Sequence, residues 1–165
     1  MIDFVGSTCD SGWFEVADSC FRVFAGTSVA KKWGDARKSC LQQGSDLAVV
    51  DSEIERKIIG DHLTNIANRY PGDNIKAFLG IRKLPTWRWL DGSSVSASIW
   101  HSGYPNVWKS GQCGLLEKRS RKWKLVHRSC RYRRRLICET DERKSFVMLK
   151  SLQGFFFFIK FVLDP

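Results

Sequence analysis

Residues 77–93 read Ala-Phe-Leu-Gly-Ile-Arg-Lys-Leu-Pro-Thr-Trp-Arg-Trp-Leu-Asp-Gly-Ser. The apolar run from Ala77 to Ile81 is typical of a short buried strand, and the residues from Trp87 to Leu90 alternate in polarity. Asp91-Gly92-Ser93 then supplies the residue types that favour a tight turn. The stretch therefore predicts two short strands followed by a turn.

The residues before this stretch predict a hairpin and two amphipathic helices. Aromatic and β-branched residues surround Cys20, as in two short strands, and a bridge from Cys9 to Cys20 would suit such a hairpin. From Ser28 to Gln43, apolar side chains recur at helical spacing on one face, at Val29, Trp33, Ala36 and Cys40. Ser52 and Glu55 form a capping box. The helix that it opens carries its apolar face at Ile54, Ile58, Ile59, Leu63 and Ile66.

The residues after this stretch predict a long loop and then three more strands. Serine, glycine, proline and tryptophan dominate from Ser93 to Gly111, and no regular period is visible there. Structureless loops of this length in compact domains are usually functional. Strands are predicted again at 114–116, 122–126 and 134–137, and no repeat of domain size is present.

Length and composition predict one folded domain. The chain has 165 residues, of which 43% are hydrophobic and 27% charged, enough for one well-buried core and too little for two. Seven tryptophans and eleven phenylalanines exclude a disordered polar chain. No uncharged apolar stretch reaches the eighteen or so residues of a membrane span, which excludes a polytopic membrane protein.

Six cysteines indicate disulfides and an extracellular domain. No pair has the short C-x-x-C spacing of zinc ribbons and redox motifs. Disulfides persist in oxidising compartments, so we expect a secreted protein or the ectodomain of a membrane protein. Met1 to Gly6 lack the basic and apolar regions of a signal peptide, and we therefore expect a missing leader or a domain cut from a longer protein. The residues alone leave fifteen pairings open.

The positive charge is concentrated near the end of the domain. The chain carries 27 lysines and arginines against 17 acidic residues, and nearly all of the surplus lies between Lys109 and Lys144. Such a segment attracts polyanions by long-range steering, although a solvated face without a partner is the alternative. A sulfated glycan or anionic lipid suits an extracellular domain better than nucleic acid does. The candidate polyanion patch comprises Lys118, Arg119, Arg121, Lys122, Arg131, Arg133, Arg134 and Arg135.

The two ends of the chain differ from the domain between them. We divide the sequence into an extension at 1–8, a domain at 9–140 and a basic and apolar tail at 141–165. The tail contains the run Gly-Phe-Phe-Phe-Phe-Ile-Lys-Phe-Val-Leu at 154–163, too short to cross a bilayer. A truncated anchor, an interfacial segment and read-through of non-coding sequence all stay open, and with them membrane contact by the tail.

No motif indicates an enzyme. His62, His101 and His127 are far apart in sequence, and we expect each to be a surface or loop histidine rather than a base. No nucleophile elbow, phosphate loop or zinc helix motif is present. We therefore expect no enzymatic activity.

Taken together, these residues resemble a C-type lectin-like domain of the long form, over about residues 9–140. Phe78-Leu79-Gly80-Ile81 stands where that family has its Trp-Ile-Gly-Leu motif, and the chain closes on Leu136-Ile137-Cys138-Glu139. The resemblance implies an α+β fold with two helices, two small antiparallel sheets, a long loop and three disulfides. The implied pairs are Cys9 with Cys20, Cys40 with Cys138, and Cys113 with Cys130.

The resemblance also shows what this chain lacks. Sugar-binding members hold calcium with a Glu-Pro-Asn or Gln-Pro-Asp triplet, a further Glu and a Trp-Asn-Asp triplet, because that ion requires six to eight oxygen ligands. Here the first triplet is Tyr104-Pro105-Asn106, Gln112 stands in for the Glu, and Trp123-Lys124-Leu125 replaces the last triplet. We therefore predict no metal and no cofactor; rescue of the calcium site by backbone carbonyls and a shifted Asp is the alternative. Pro105 is expected to keep the family's cis bond.

Two binding hypotheses follow from the loop and the charge. The first is calcium-independent carbohydrate recognition, and the second is a non-catalytic module for a protein or a sulfated ligand at the basic residues 118–135. Lys124 and Arg128 are expected beside the loop, which favours an acidic or sulfated ligand. For Trp100 and Trp108 the alternative is that their rings simply pack the loop onto the domain. The candidate ligand-binding residues are Trp100, Tyr104, Pro105, Asn106, Trp108, Gln112, Lys124 and Arg128.

Overall fold

The computed structural model describes residues 9–24, 29–69, 76–106, 110–119 and 121–141. Trp108, the extension at 1–8 and the tail beyond Asp141 lie outside these described residues. Within them, no helix combines the length and the apolar character that a membrane span requires.

The strands form two antiparallel groups, which one parallel pair of strands joins. The first group contains β1 (Phe14–Val16), β2 (Ser19–Phe24), β3 (Asp46–Leu47) and β8 (Arg135–Asp141). The second contains β4 (Lys76–Lys83), β5 (Trp87–Trp89), β6 (Cys113–Arg119) and β7 (Lys122–Arg128). β4 pairs with β8 in parallel, so hydrogen bonds join the groups in the order β1-β2-β8-β4-β6-β7, with β3 on β8 and β5 on β4.

The predicted buried strand is the centre of the core. Residues 77–81 are all buried, because β4 is covered on both faces. Ala77, Leu79 and Ile81 pack in one apolar cluster with Ile59 and Leu63 of the second helix. Phe78 points the other way, into a second cluster with Trp33 and Ala36. This is the alternation of a strand whose two faces are both buried.

The first helix, α1 (Trp33–Leu41), is shorter than predicted. It buries Trp33, Ala36 and Cys40 as expected, but it begins five residues later than Ser28. Lys31 exchanges two backbone hydrogen bonds with Arg134, of 2.9 and 3.0 Å. These bonds keep the chain extended just before Trp33, so the helical spacing of Val29 does not correspond to a helical turn.

The second helix, α2 (Glu53–Arg69), begins as predicted. The backbone N–H of Glu55 donates to Ser52 Oγ over 3.1 Å, and the N–H of Ser52 donates to Glu55 Oε2 over 3.3 Å. Ile59 and Leu63 are buried. Ile54 was expected on the same face but is 71% exposed.

The three implied disulfides are confirmed: Cys9–Cys20, Cys40–Cys138 and Cys113–Cys130. They tie the first hairpin together, join α1 to β8, and hold the start of β6 to the residues after β7. The last of these bridges fixes both ends of the β6–β7 hairpin at the base of the long loop.

Candidate functional site

The long loop is anchored to β7 by its buried residues. The 3₁₀ turn Ala97–Ile99 leads into Trp100, which is 6% exposed. The Trp100 ring packs edge-on against Trp87, with centroids 5.0 Å apart, and the N–H of His101 donates to the carbonyl of Leu125 over 2.9 Å. Trp100 was predicted as a ligand-binding residue, but burial makes it a packing anchor of the loop.

The triplet Tyr104-Pro105-Asn106 contacts His127 of β7. The Tyr104–Pro105 peptide bond is cis, as the resemblance implies. The backbone N–H of Asn106 donates to His127 Nε2 over 2.9 Å, and the rings of Tyr104 and His127 meet edge to face with centroids 5.3 Å apart.

His127 itself is 2% exposed, so its assignment as a surface or loop histidine was wrong. Lys124 and Arg128 lie beside the loop, as expected. Lys124 Nζ donates to the carbonyl of Ser98 at the start of the loop, over 2.8 Å, whereas His127 is the β7 residue that contacts the triplet.

Two arginines hold the Tyr104 side chain. Arg128 Nη1 donates to Tyr104 Oη over 2.8 Å. The guanidinium carbons of Arg119 and Arg128 lie 5.6 and 5.5 Å from the centre of the tyrosine ring, within the range of cation–π attraction. The residue that replaces the family's acidic or amide ligand is therefore surrounded by positive charge.

A buried carboxylate balances these arginines. Glu117 accepts a 2.9 Å hydrogen bond from Arg119 Nε, and it lies 3.3 Å from Lys76 Nζ and 3.7 Å from Arg128 Nη2. Burial acts to raise the pKa of Glu117, but the hydrogen bond from Arg119 and the charges of Lys76 and Arg119 outweigh it and lower the pKa below its ordinary value. We call Glu117, Lys76, Arg119 and Arg128 the ion cluster.

Sequence analysis missed both His127 and Glu117 as parts of the site. Glu117 carried one usable signal, because it is the single acidic residue between Asp91 and Glu139 in a strongly basic segment. A lone carboxylate among so many cations predicts an ion pair. His127 carried no signal of this kind in the sequence, since its role depends on which strand residue faces the loop.

The other predicted loop residues are more dispersed. Pro105 and Gln112 are exposed and Asn106 is half-buried. The carbonyl of Gln112 accepts the backbone N–H of Lys83 over 3.0 Å. Trp108 lies outside the described residues. The structure thus brings Tyr104, Asn106 and Arg128 together around His127. The buried Trp100 ring lies against the His127 ring, with centroids 6.4 Å apart.

The candidate polyanion patch is divided by β7. Lys118, Arg121 and Lys122 are exposed at the turn between β6 and β7, whereas the second group, Arg131, Arg133 and Arg134, follows the other end of β7. Seven strand residues separate the two groups by roughly 20 Å. Two members do not belong to an exposed patch, because Arg119 lies in the ion cluster and Arg135 is 6% exposed at the start of β8.

Comparisons with known proteins agree with this architecture. The family model described as the lectin C-type domain matches residues 29–140. The chain is 29% identical over 137 residues to C-type lectin lectoxin-Phi1 of Philodryas olfersii, covering 79% of this chain and 83% of that protein.

Two solved structures are similar in fold. The C-type lectin domain of murine dendritic cell inhibitory receptor 2, solved in complex with N-glycan, superposes with a TM-score of 0.67 at 21% identity, covering 81% of this chain and 99% of that one. The cow C-type carbohydrate-recognition domain of CD23, solved in the presence of a GlcNAc2Man3 oligosaccharide, gives a TM-score of 0.65 at 21% identity, covering 82% and 97%. With the family model matching well over half of its length, this chain belongs to the C-type lectin domain family.

Proposed function

We propose that this protein is an extracellular, non-catalytic carbohydrate-recognition module, bounded by residues 9 and 140, that binds glycans through the Tyr104–Asn106 loop without calcium. The observation that carries the proposal is the pair of contacts made by the triplet. Arg128 donates to the Tyr104 hydroxyl and His127 accepts from the Asn106 backbone, so a cation and an imidazole stand where a metal would need anionic oxygens.

The residues beside the triplet do not fit a calcium ion. Calcium takes six to eight oxygen ligands, several of them charged. In the part of the chain that the structure describes, no three aspartate, glutamate, histidine or cysteine side chains are grouped to hold a metal. Glu117, the carboxylate that contacts Arg128, is already engaged by three cations. A divalent ion beside Tyr104 would also be repelled by Arg119 and Arg128.

The loop surface suits a sugar in other respects. Exposed Pro105, half-buried Asn106 and half-buried His101 lie on a backbone that β7 holds in place. Such a surface offers amide and imidazole groups to sugar hydroxyls at little entropic cost, because the loop is already ordered. The two structural neighbours solved with N-glycan and with an oligosaccharide support a glycan as the ligand class.

The histidine contacts favour binding over catalysis. His62 stacks on Phe14 with centroids 3.7 Å apart, and His101 Nδ1 contacts the carbonyl oxygen of Ser102 at 2.9 Å. His127 Nε2 is engaged by the Asn106 backbone. In these contacts the rings stabilise the fold rather than activate a nucleophile.

Glycan binding is expected to be insensitive to a chelator. A glycan array probed with and without EDTA should return the same bound set with equal signals, since no step of recognition uses a metal. Unfolding midpoints measured in EDTA and in millimolar calcium should also coincide. Signals that vanish in EDTA and return with calcium would overturn the calcium-independent mechanism.

Asn106→Ala is expected to weaken binding to the array ligands about tenfold, the effect of losing one or two hydrogen bonds to the sugar. The bond to His127 uses the backbone N–H, which the substitution keeps. Asn65→Ala is the matched control, because Asn65 is exposed on α2. Equal affinities for both variants would remove Asn106 from the site.

A further inference from the structure

A groove lies between α2 and the β6–β7 hairpin, and its lining contains no residue of the Tyr104-Pro105-Asn106 triplet. Its volume is about 280 Å³. Trp123 lines it together with two carboxylates, Glu53 and Asp61. Six cationic residues complete the lining: Arg56, Lys57, Lys118, Arg121, Lys122 and Lys124.

Packing between the helix and the hairpin fixes the shape of this groove. Gly60 of α2 lies directly against the indole of Trp123, and a Cβ at that position would overlap the ring. Lys118 Nζ donates to Thr64 Oγ1 of the same helix over 3.2 Å. The walls are therefore held together before any ligand arrives, which lowers the entropic cost of binding.

The lining has a surplus of positive charge. Of its two carboxylates, Asp61 is paired with Lys57 at 3.3 Å. Arg56 is buried and donates to the carbonyl of Asp51 over 2.7 Å. Burial lowers the pKa of Arg56, and the neighbouring carboxylates only partly oppose this effect. Adding an anion would relieve the excess charge.

The aromatic residue and the cations together select the ligand class. Trp123 is half-buried, and Lys118 Nζ lies 5.9 Å from the centre of its ring. An indole packs well on the apolar face of a sugar ring, and lysine and arginine bind sulfate groups by charge-assisted hydrogen bonds. The volume suits one or two sugar rings rather than a folded protein surface.

We propose that this groove is a binding site for a sulfated saccharide, independent of the Tyr104–Asn106 loop. In the sequence, Lys118, Arg121 and Lys122 belong to the same basic segment as the arginines at 131–135. The structure separates the two groups and adds Arg56 and Lys57 of α2 to the first. The site therefore consists of two segments that lie far apart in the chain.

The test measures binding of a sulfated heparin disaccharide by isothermal titration calorimetry. The double variant Arg121→Ala/Lys122→Ala should lose about tenfold in affinity. The matched control, Arg131→Ala/Arg133→Ala, removes the same charge from exposed positions at the other end of β7 and should change affinity less than twofold. In the unaltered protein, binding should weaken severalfold between about 0.05 and 0.15 M salt.

Two further measurements separate this site from the loop. Asn106→Ala should leave disaccharide affinity unchanged, and Arg121→Ala/Lys122→Ala should leave array signals for neutral glycans unchanged. The disaccharide should also shift the NMR signal of the Trp123 indole N–H. Equal losses in both double variants, equal affinity for an acidic peptide of the same charge, or no binding at low salt would each overturn the proposal.

Discussion

A variant with Cys40 and Cys138 both replaced by alanine is expected to lose about 4 to 5 kcal/mol of unfolding free energy. The bridge joins α1 to β8 across 98 residues, and a crosslink of that span strongly restricts the unfolded chain. Both cysteines are fully buried, so shortening them also leaves unfilled volume in the core. Urea unfolding monitored by tryptophan fluorescence would give the free energy directly.

The Cys9–Cys20 bridge provides the matched control. It spans only 11 residues, so the corresponding double alanine variant should lose about 3 kcal/mol by the same entropic relation. The long-range bridge should therefore cost about 2 kcal/mol more than the short one. Equal losses would mean that the bridges act through local packing and not through the length of chain that they close.

Several elements could be predicted from sequence because their determinants are local. The capping box needs only Ser52 and Glu55 at the right spacing, and both of its hydrogen bonds form. The apolar run at 77–81 predicted a buried strand, since a run without polar residues must be covered on both sides. The disulfide pairing required more than local information and came from the family resemblance.

The predictions that failed depended on contacts between distant segments. The start of α1 is set by Arg134, about a hundred residues away. His127 and Arg135 are buried because of the strands and loops packed on them. Residue type alone does not predict that a histidine or an arginine is buried. The basic segment appeared continuous in sequence, but β7 divides it, so counting charges along the chain overestimated the size of the patch.

Glu117→Gln is expected to destabilise the protein by about 2 to 3 kcal/mol at neutral pH. The substitution keeps the size of the side chain but leaves Lys76, Arg119 and Arg128 without their shared counter-charge. These three cations are 20%, 33% and 22% exposed, so water screens part of the repulsion and the cost stays below that of a fully buried pair. Thermal and urea unfolding at pH 7 would measure it.

The same carboxylate should make the free energy of unfolding depend on pH in the acidic range. Because the folded-state pKa of Glu117 is lowered, its stabilising contribution is complete above the unfolded value of about 4.3 and is lost as the pH falls through the lower folded value. The unaltered protein should therefore lose more stability than Glu117→Gln between about pH 5 and pH 3. Glu15→Gln is the control, because Glu15 is exposed on β1 and its replacement changes the net charge equally. If both variants show the same acid dependence, Glu117 does not supply the acid-sensitive part of the stability.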